Sequence, residues 1–164
     1  MIKTNSPLRV LCAFAPPRGI FLTIFLLITA AAFSQSAEQI DELLATETIS
    51  YEQAAWFVLQ AANPDGFSGS PAEAFRYAIE REWLPANASS QDIARLDGVS
   101  LLIMQSHNIG GGFMYTLTKS GRYAYRELVY LNIIQGRTDP QIAVSGDFLL
   151  FVLTRVLLFQ EGEL

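Results

Sequence analysis

From Tyr123 to Phe159 the apolar positions fall into two helical patterns separated by a turn. Ala124, Leu128, Val129, Leu131 and Ile133 recur near helical spacing, with Arg126, Glu127 and Asn132 on the other side, which predicts an amphipathic helix over about 121–133. Gly136 reads as its stop and Arg137-Thr138-Asp139-Pro140 as a turn. Ser145, ahead of Asp147, reads as the N-cap of a second helix over about 144–159, in which nearly every residue is apolar. A helix that is apolar all round has to be buried.

The pattern occurs once before at a constant offset of 50. Ala74 matches Ala124, Ala78 matches Leu128, Trp83 matches Ile133, Leu84 matches Ile134, Asp97 matches Asp147 and Leu102 matches Val152. A shorter copy precedes both, running from Ala37, Ile40, Leu43 and Leu44 through Ile49-Ser50-Tyr51-Glu52-Gln53 into Ala54-Ala55-Trp56-Phe57-Val58-Leu59. Repeats of this size are single supersecondary units that bury their apolar faces against one another. Six helices follow, at about 37–46 and 50–62, 71–83 and 92–107, and 121–133 and 144–159, grouped into repeats at about 37–62, 71–107 and 121–159. The expected fold is all-α: three helical hairpins in a pseudo-threefold arrangement, the apolar second helices inside and the amphipathic first helices outside.

Two links separate the repeats. Asn63-Pro64-Asp65-Gly66-Phe67-Ser68-Gly69-Ser70 is rich in turn residues and places Pro71 in the first turn of the next helix. The link from Asn108 to Ser120 contains Gly110-Gly111-Gly112 and then Phe113-Met114-Tyr115-Thr116-Leu117. No lysine follows the glycines at P-loop spacing, so they read as a joint whose apolar tail packs back onto the bundle.

Ahead of the repeats, Lys3, Arg9 and Arg18 precede the apolar run Ile20 to Ile28 and the small residues Ala30-Ala31-Ala32-Phe33-Ser34. This is the pattern of a secretory signal peptide over 1–34, with cleavage after Ser34 or Ala32. An uncleaved anchor is the weaker alternative, because a spanning helix needs roughly 20 apolar residues. The sole cysteine, Cys12, lies before the apolar run, so the exported chain, 35–164, has none and relies on packing alone. A composition 51% apolar and 12% aromatic can supply that packing. Net charge is −5, and loss of the three N-terminal cations leaves eight basic against sixteen acidic residues, or −8. That balance argues against nucleic acid or an anionic membrane surface as partner, leaving the membrane only an uncleaved signal segment.

The second helix of each repeat opens on a related phrase: Ile49-Ser50-Tyr51-Glu52-Gln53, Ile93-Ala94-Arg95-Leu96-Asp97 and Val144-Ser145-Gly146-Asp147. These resemble degenerate copies of the Ile-Thr-Arg-Ala-Glu motif of S-layer homology domains. Ile133-Ile134-Gln135-Gly136-Arg137-Thr138-Asp139 is similar to that family's Gly-Ile-Ile-x-Gly-x-x-Asp loop, and Trp83-Leu84-Pro85 holds the same place one repeat earlier. The resemblance spans about 37–159. It implies an exported module of the periplasm or cell surface that binds cell-wall polysaccharide or peptidoglycan in grooves between repeats, with Arg95, Trp83, Gly136 and Asp139 as candidate ligand residues. Only Arg95 matches the motif arginine. With no cargo domain in the sequence, a second reading is a periplasmic adaptor whose grooves hold another envelope protein.

The same residues also have local readings. Ser50 three positions before Gln53 is capping-box chemistry, and Asp97 and Asp147 suit the first turns of their helices. Arg95 faces the positive end of a helix dipole, so either Asp92 and Asp97 neutralise it or it holds an external anion in a forked contact. Trp83 stacks on a sugar ring if exposed and fills core if buried. Gly136 serves equally as a left-handed helix stop. One histidine, His107, with no Cys-His pair, His-Glu-x-x-His or metal-ligand cluster, gives no basis for an enzyme, a cofactor or a metal.

Overall fold

A computed structural model of the chain describes residues 38–63, 67–136 and 138–163. The expected signal peptide over 1–34 lies outside them. The described residues are all-α: α1 (38–44), α2 (Tyr51–Ala62), α3 (Pro71–Glu80), α4 (Leu96–Ser106), α5 (Phe113–Thr118), α6 (Gly121–Tyr130) and α7 (Gly146–Glu161), with no strand longer than an isolated bridge. One compact unit spans Ile40–Leu164.

The offset of 50 is present in the backbone. It separates the bounds of α3 from those of α6, and the first residue of α4 from that of α7. Ala74 and Ala78 are fully buried on α3, as are Ala124 and Leu128 on α6. Both helices end in the same way, three residues before the predicted 83 and 133. The Glu82 N–H donates to the Ile79 carbonyl and the Trp83 N–H to Ala78, and fifty residues on Asn132 donates to Val129 and Ile133 to Leu128. This is the paired bonding of a Schellman cap, with Glu82 (φ 58°) and Asn132 (φ 59°) in the left-handed position usually held by glycine. Asn132, not Gly136, therefore stops α6. Asn108 (φ 51°) ends α4 by the same device, its N–H going to Gln105 and that of Ile109 to Met104.

At the helix starts, Ser50 forms the expected capping box with Gln53, and Ser70 forms a second with Glu73. Ser145 holds the N-cap position of α7 without a side-chain cap bond. The first N–H of each long helix finds a carbonyl on another segment: Tyr51 donates to Asp92, Leu96 to Ile142 and Gly146 to Thr46. These bonds satisfy donors that a helix cannot satisfy internally. They also explain why α4 starts at Leu96 instead of 92. Ile93 bridges to Ser50 and Arg95 to Ala143, so both residues are extended and their backbone is committed outside any helix.

Just before these starts lies a closed cycle. The Ile49 N–H donates to the Val144 carbonyl at 3.0 Å, Val144 to Ala94 at 3.0 Å, and Ala94 back to Ile49 at 2.8 Å. All three residues are buried. Six backbone polar groups placed in the core would each be costly unpaired, and here three donors meet three acceptors with none left over.

The core grows outward from this cycle. On α4 every residue from Gly98 to Met104 is buried, as the all-round apolar pattern requires. α7 departs from it: Val152, Leu149 and Val156 are buried, but Phe151 (44% exposed) and Leu157 (41%) face water. Helix pairing departs as well, since the closest pairs are α2 with α3 and α4 with α6. Each joins the second helix of one repeat to the first helix of the next, so the repeats interlock rather than stack as self-contained hairpins.

Candidate functional site

The bridges and the cycle bring the three N-cap phrases to one place, and beside them the surface opens into a groove of about 690 Å³. Its lining comes from three stretches: Tyr51 at the start of α2, the segment from Pro85 to Asp97, and Gln141 with Ala143. Asn87, Gln91, Asp92, Arg95, Asp97 and Gln141 supply amide, carboxylate and guanidinium groups, while Pro85, Ala88, Ile93 and Ala143 supply apolar surface.

Arg95 is exposed at this groove. It occupies the N-cap of α4, one residue ahead of the helical turn predicted for it, with extended backbone and no capping bond from its side chain. Its two acidic neighbours make local backbone contacts. Asp92 accepts the Ser89 N–H at 2.9 Å, and Asp97 accepts the Gly98 N–H at 2.8 Å. The backbone N–H of Arg95 donates to the Tyr51 hydroxyl at 3.3 Å. Burial pushes that phenol above its ordinary range, against the opposing pull of the Arg95 N–H, so Tyr51 remains protonated and retains an O–H to donate. Gly98 makes room for the ring: a Cβ there would lie 2.6 Å from the Tyr51 oxygen.

The other predicted ligand residues do not line this groove. Trp83 is half-buried in an aromatic row, its ring centroid 5.6 Å from that of Tyr77 at 74°, and Tyr77 in turn is 6.0 Å from Phe67. The Arg81 guanidinium sits 3.6 Å from the Tyr77 centroid and 5.8 Å from that of Trp83. Gly136 is exposed with φ 82°, a left-handed turn residue well beyond the end of α6. Asp139 accepts the Gln141 N–H at 2.9 Å, shaping the turn that delivers Gln141 to the groove without lining it. Of the four, Arg95 alone lines it. Tyr51, Asn87, Gln91 and Gln141 escaped the sequence reading because they lie in turns or at a helix start, where no periodicity marks which way a side chain points.

His107 is buried at the C-cap of α4, with Nδ1 3.2 Å from the Ile103 carbonyl and Nε2 without a partner among the described residues. The Ser106 hydroxyl lies 3.1 Å from the same nitrogen, so Nδ1 can donate to the carbonyl or accept from the hydroxyl according to the tautomer. Burial holds the ring's pKa below its ordinary value, against the raising effect of the Ile103 carbonyl. This is a neutral packing residue. Among the described residues no group of three or more His, Cys, Asp or Glu is arranged to hold a metal ion, and no helix is long and apolar enough to cross a membrane. No protein-family model, curated protein or solved structure matches the chain.

Proposed function

We propose that the chain is an exported, noncatalytic cell-envelope module, similar to an S-layer homology domain, that binds peptidoglycan-associated polysaccharide in the groove around Arg95. The observation that carries the reading is the exposed Arg95 guanidinium on a polar groove where the N-cap phrases meet. Amide side chains and a protonated phenol offer donors and acceptors to sugar hydroxyls, and a guanidinium offers a fork to a carboxylate or other anionic substituent. The closed cycle through Ile49, Ala94 and Val144 supports a pseudo-threefold assembly of the three repeats, with the interlocked pairs α2–α3 and α4–α6 in the role of hairpins. Export through the N-terminal segment would place the groove against the wall, in the periplasm or at the cell surface.

Co-sedimentation of the mature chain, from Gln35, with purified sacculi before and after removal of accessory polysaccharide tests this reading. Binding is expected to fall with the polysaccharide, and Arg95→Ala is expected to weaken it by about 2 kcal/mol or more, roughly 30-fold. The same substitution should shift folding stability by under about 0.5 kcal/mol, because the side chain is exposed. Retention of full binding by Arg95→Ala would remove the site. A folded chain that ignores sacculi altogether would favour an envelope-protein partner instead.

A further inference from the structure

The link between the second and third repeats packs back onto the bundle only in part: Ile109 and Tyr115 are buried in the core and α5 lies against α6, but most of its apolar tail stays in water. It forms α5, which is fastened by a single buried side chain, Tyr115, whose hydroxyl accepts the Gln105 amide at 2.7 Å. Phe113, Met114 and Leu117 lie at i, i+1 and i+4 on one side of this helix and are 79%, 43% and 68% exposed. A core-sized phenylalanine and leucine held in water on a fixed turn mark a contact surface rather than scatter.

The charges beside this turn bear on what it contacts. From Gly98 through Gly136 the chain has three basic residues, Lys119, Arg122 and Arg126, and one acidic residue, Glu127, against a net −5 for the whole. Lys119 is the C-cap of α5, and it lines a depression with Arg122 and with Arg81 of the preceding repeat. Glu82 and Asp97 reach the same depression. Glu127 lies at the other end of α5, where a Cβ on Gly112 would meet its carboxylate at 2.9 Å. The apolar turn is thus followed on its C-terminal side by Lys119 and Arg122, in a depression that holds three cations against two carboxylates. The overall negative charge argues against a general attraction to anionic surfaces, but charges farther than about 8 Å from the turn are screened at physiological ionic strength, so contact there is decided by the groups beside it.

We propose that Phe113, Met114 and Leu117, with Lys119 and Arg122 beside them, form an interfacial docking turn for an anionic lipid bilayer, the three apolar side chains entering the acyl boundary and the cations meeting lipid phosphates. A short apolar wedge flanked by Lys and Arg is the chemistry of in-plane membrane attachment, and either element alone binds weakly. The inference stands apart from the wall-binding reading: none of the five docking residues lines the Arg95 groove, although Pro85 and Asp97 border both depressions.

The test places an environment-sensitive fluorophore at position 117 of the full chain through Leu117→Cys in a Cys12→Ser background, with Glu47→Cys as an exposed control far along the sequence. Because the N-terminal apolar segment can itself bind lipid, the readout is the emission at each labelled position and not vesicle capture. On phosphatidylcholine vesicles containing phosphatidylglycerol, the label at 117 is expected to shift to the blue while the label at 47 does not. The shift should be much smaller on phosphatidylcholine alone. Lys119→Gln with Arg122→Gln should lower the ratio of inserted to free label roughly 30-fold, at about 1 kcal/mol for each cation removed. A label at 117 that stays in water on vesicles that have captured the chain would overturn the proposal. So would a blue shift that grows with protein concentration in the absence of lipid, which would assign the face to a second copy of the chain.

Discussion

Three glycines of this chain should respond to the same substitution in a fixed order. A Cβ at Gly146 would collide with the backbone carbonyl of Leu43, one at Gly98 would meet the Tyr51 oxygen at 2.6 Å, and one at Gly110 would meet nothing within 4 Å. Alanine at Gly146 can be accommodated only by moving the chain around Leu43, and that chain carries two bonds of the central junction: Gly146 N–H to Thr46, and Ile49 N–H to Val144. At about 1 kcal/mol each, with overpacking adding about 1–3 kcal/mol and the exchange of glycine for alanine in a helix returning up to about 1, the net loss is about 2–5 kcal/mol. For a unit of this size that lowers the melting temperature by roughly 10–20 °C. Gly98→Ala should cost less, about 1–2 kcal/mol, because a side chain rather than backbone must yield. Gly110→Ala should be neutral or stabilising by about 0.4–1 kcal/mol. Thermal and urea unfolding followed by circular dichroism would rank the three. A Gly146→Ala protein as stable as the parent would mean that the junction of Leu43 with α7 is not built as described, and the account of the helix starts would fall with it.

Two further outcomes follow from burial. Leu102→Asp and Val152→Asp each place an unpaired carboxylate on a side chain no more than 2% exposed, so both should lose more than about 4 kcal/mol and the cooperative transition with it, checked by circular dichroism and size-exclusion chromatography. His107 is the chain's one histidine, and its folded pKa lies below its unfolded value of about 6.5. The unfolded chain therefore binds the proton more readily. His107 should leave stability unchanged above pH ~6.5 and reduce it as pH falls from there toward the lower folded value, and His107→Gln should remove that slope from urea midpoints measured across the window.

Much of the architecture was legible because it is local. The offset of 50 reproduces helix bounds, and the Ser50–Gln53 box forms as its spacing implied. The failures share one cause, which is that the deciding contacts are remote. Ile93-Ala94-Arg95 fits a helical pattern, yet partners more than forty residues away hold it extended. Nothing in the periodicity of α6 shows that it packs on α4 of the previous repeat. Asn132 ends α6 where Gly136 was expected to, and Glu82 ends α3 by the same device, because a left-handed residue can be held in place by the two capping bonds around it. At the site, Arg95 stood out through its conflict with the helix dipole. Trp83, Gly136 and Asp139 became ligand candidates mainly through the resemblance, and they shape neighbouring turns and packing rather than line the groove.

The hydrogen-bonded cycle has a consequence for copy number. In an open array each unit offers the next a free face, and units can be added or lost with roughly proportionate changes in stability. Ile49, Ala94 and Val144 instead use every donor and acceptor on one another, so there is no vacant edge at which a fourth unit could join and no pair that is complete without the third. Their closure joins positions 45, 50 and 95 residues apart, so it comes at an entropic cost that is recovered only once all three segments have arrived. Lengthening or shortening this chain by one repeat would not give a longer or shorter version of the same protein. It would give a chain without a centre.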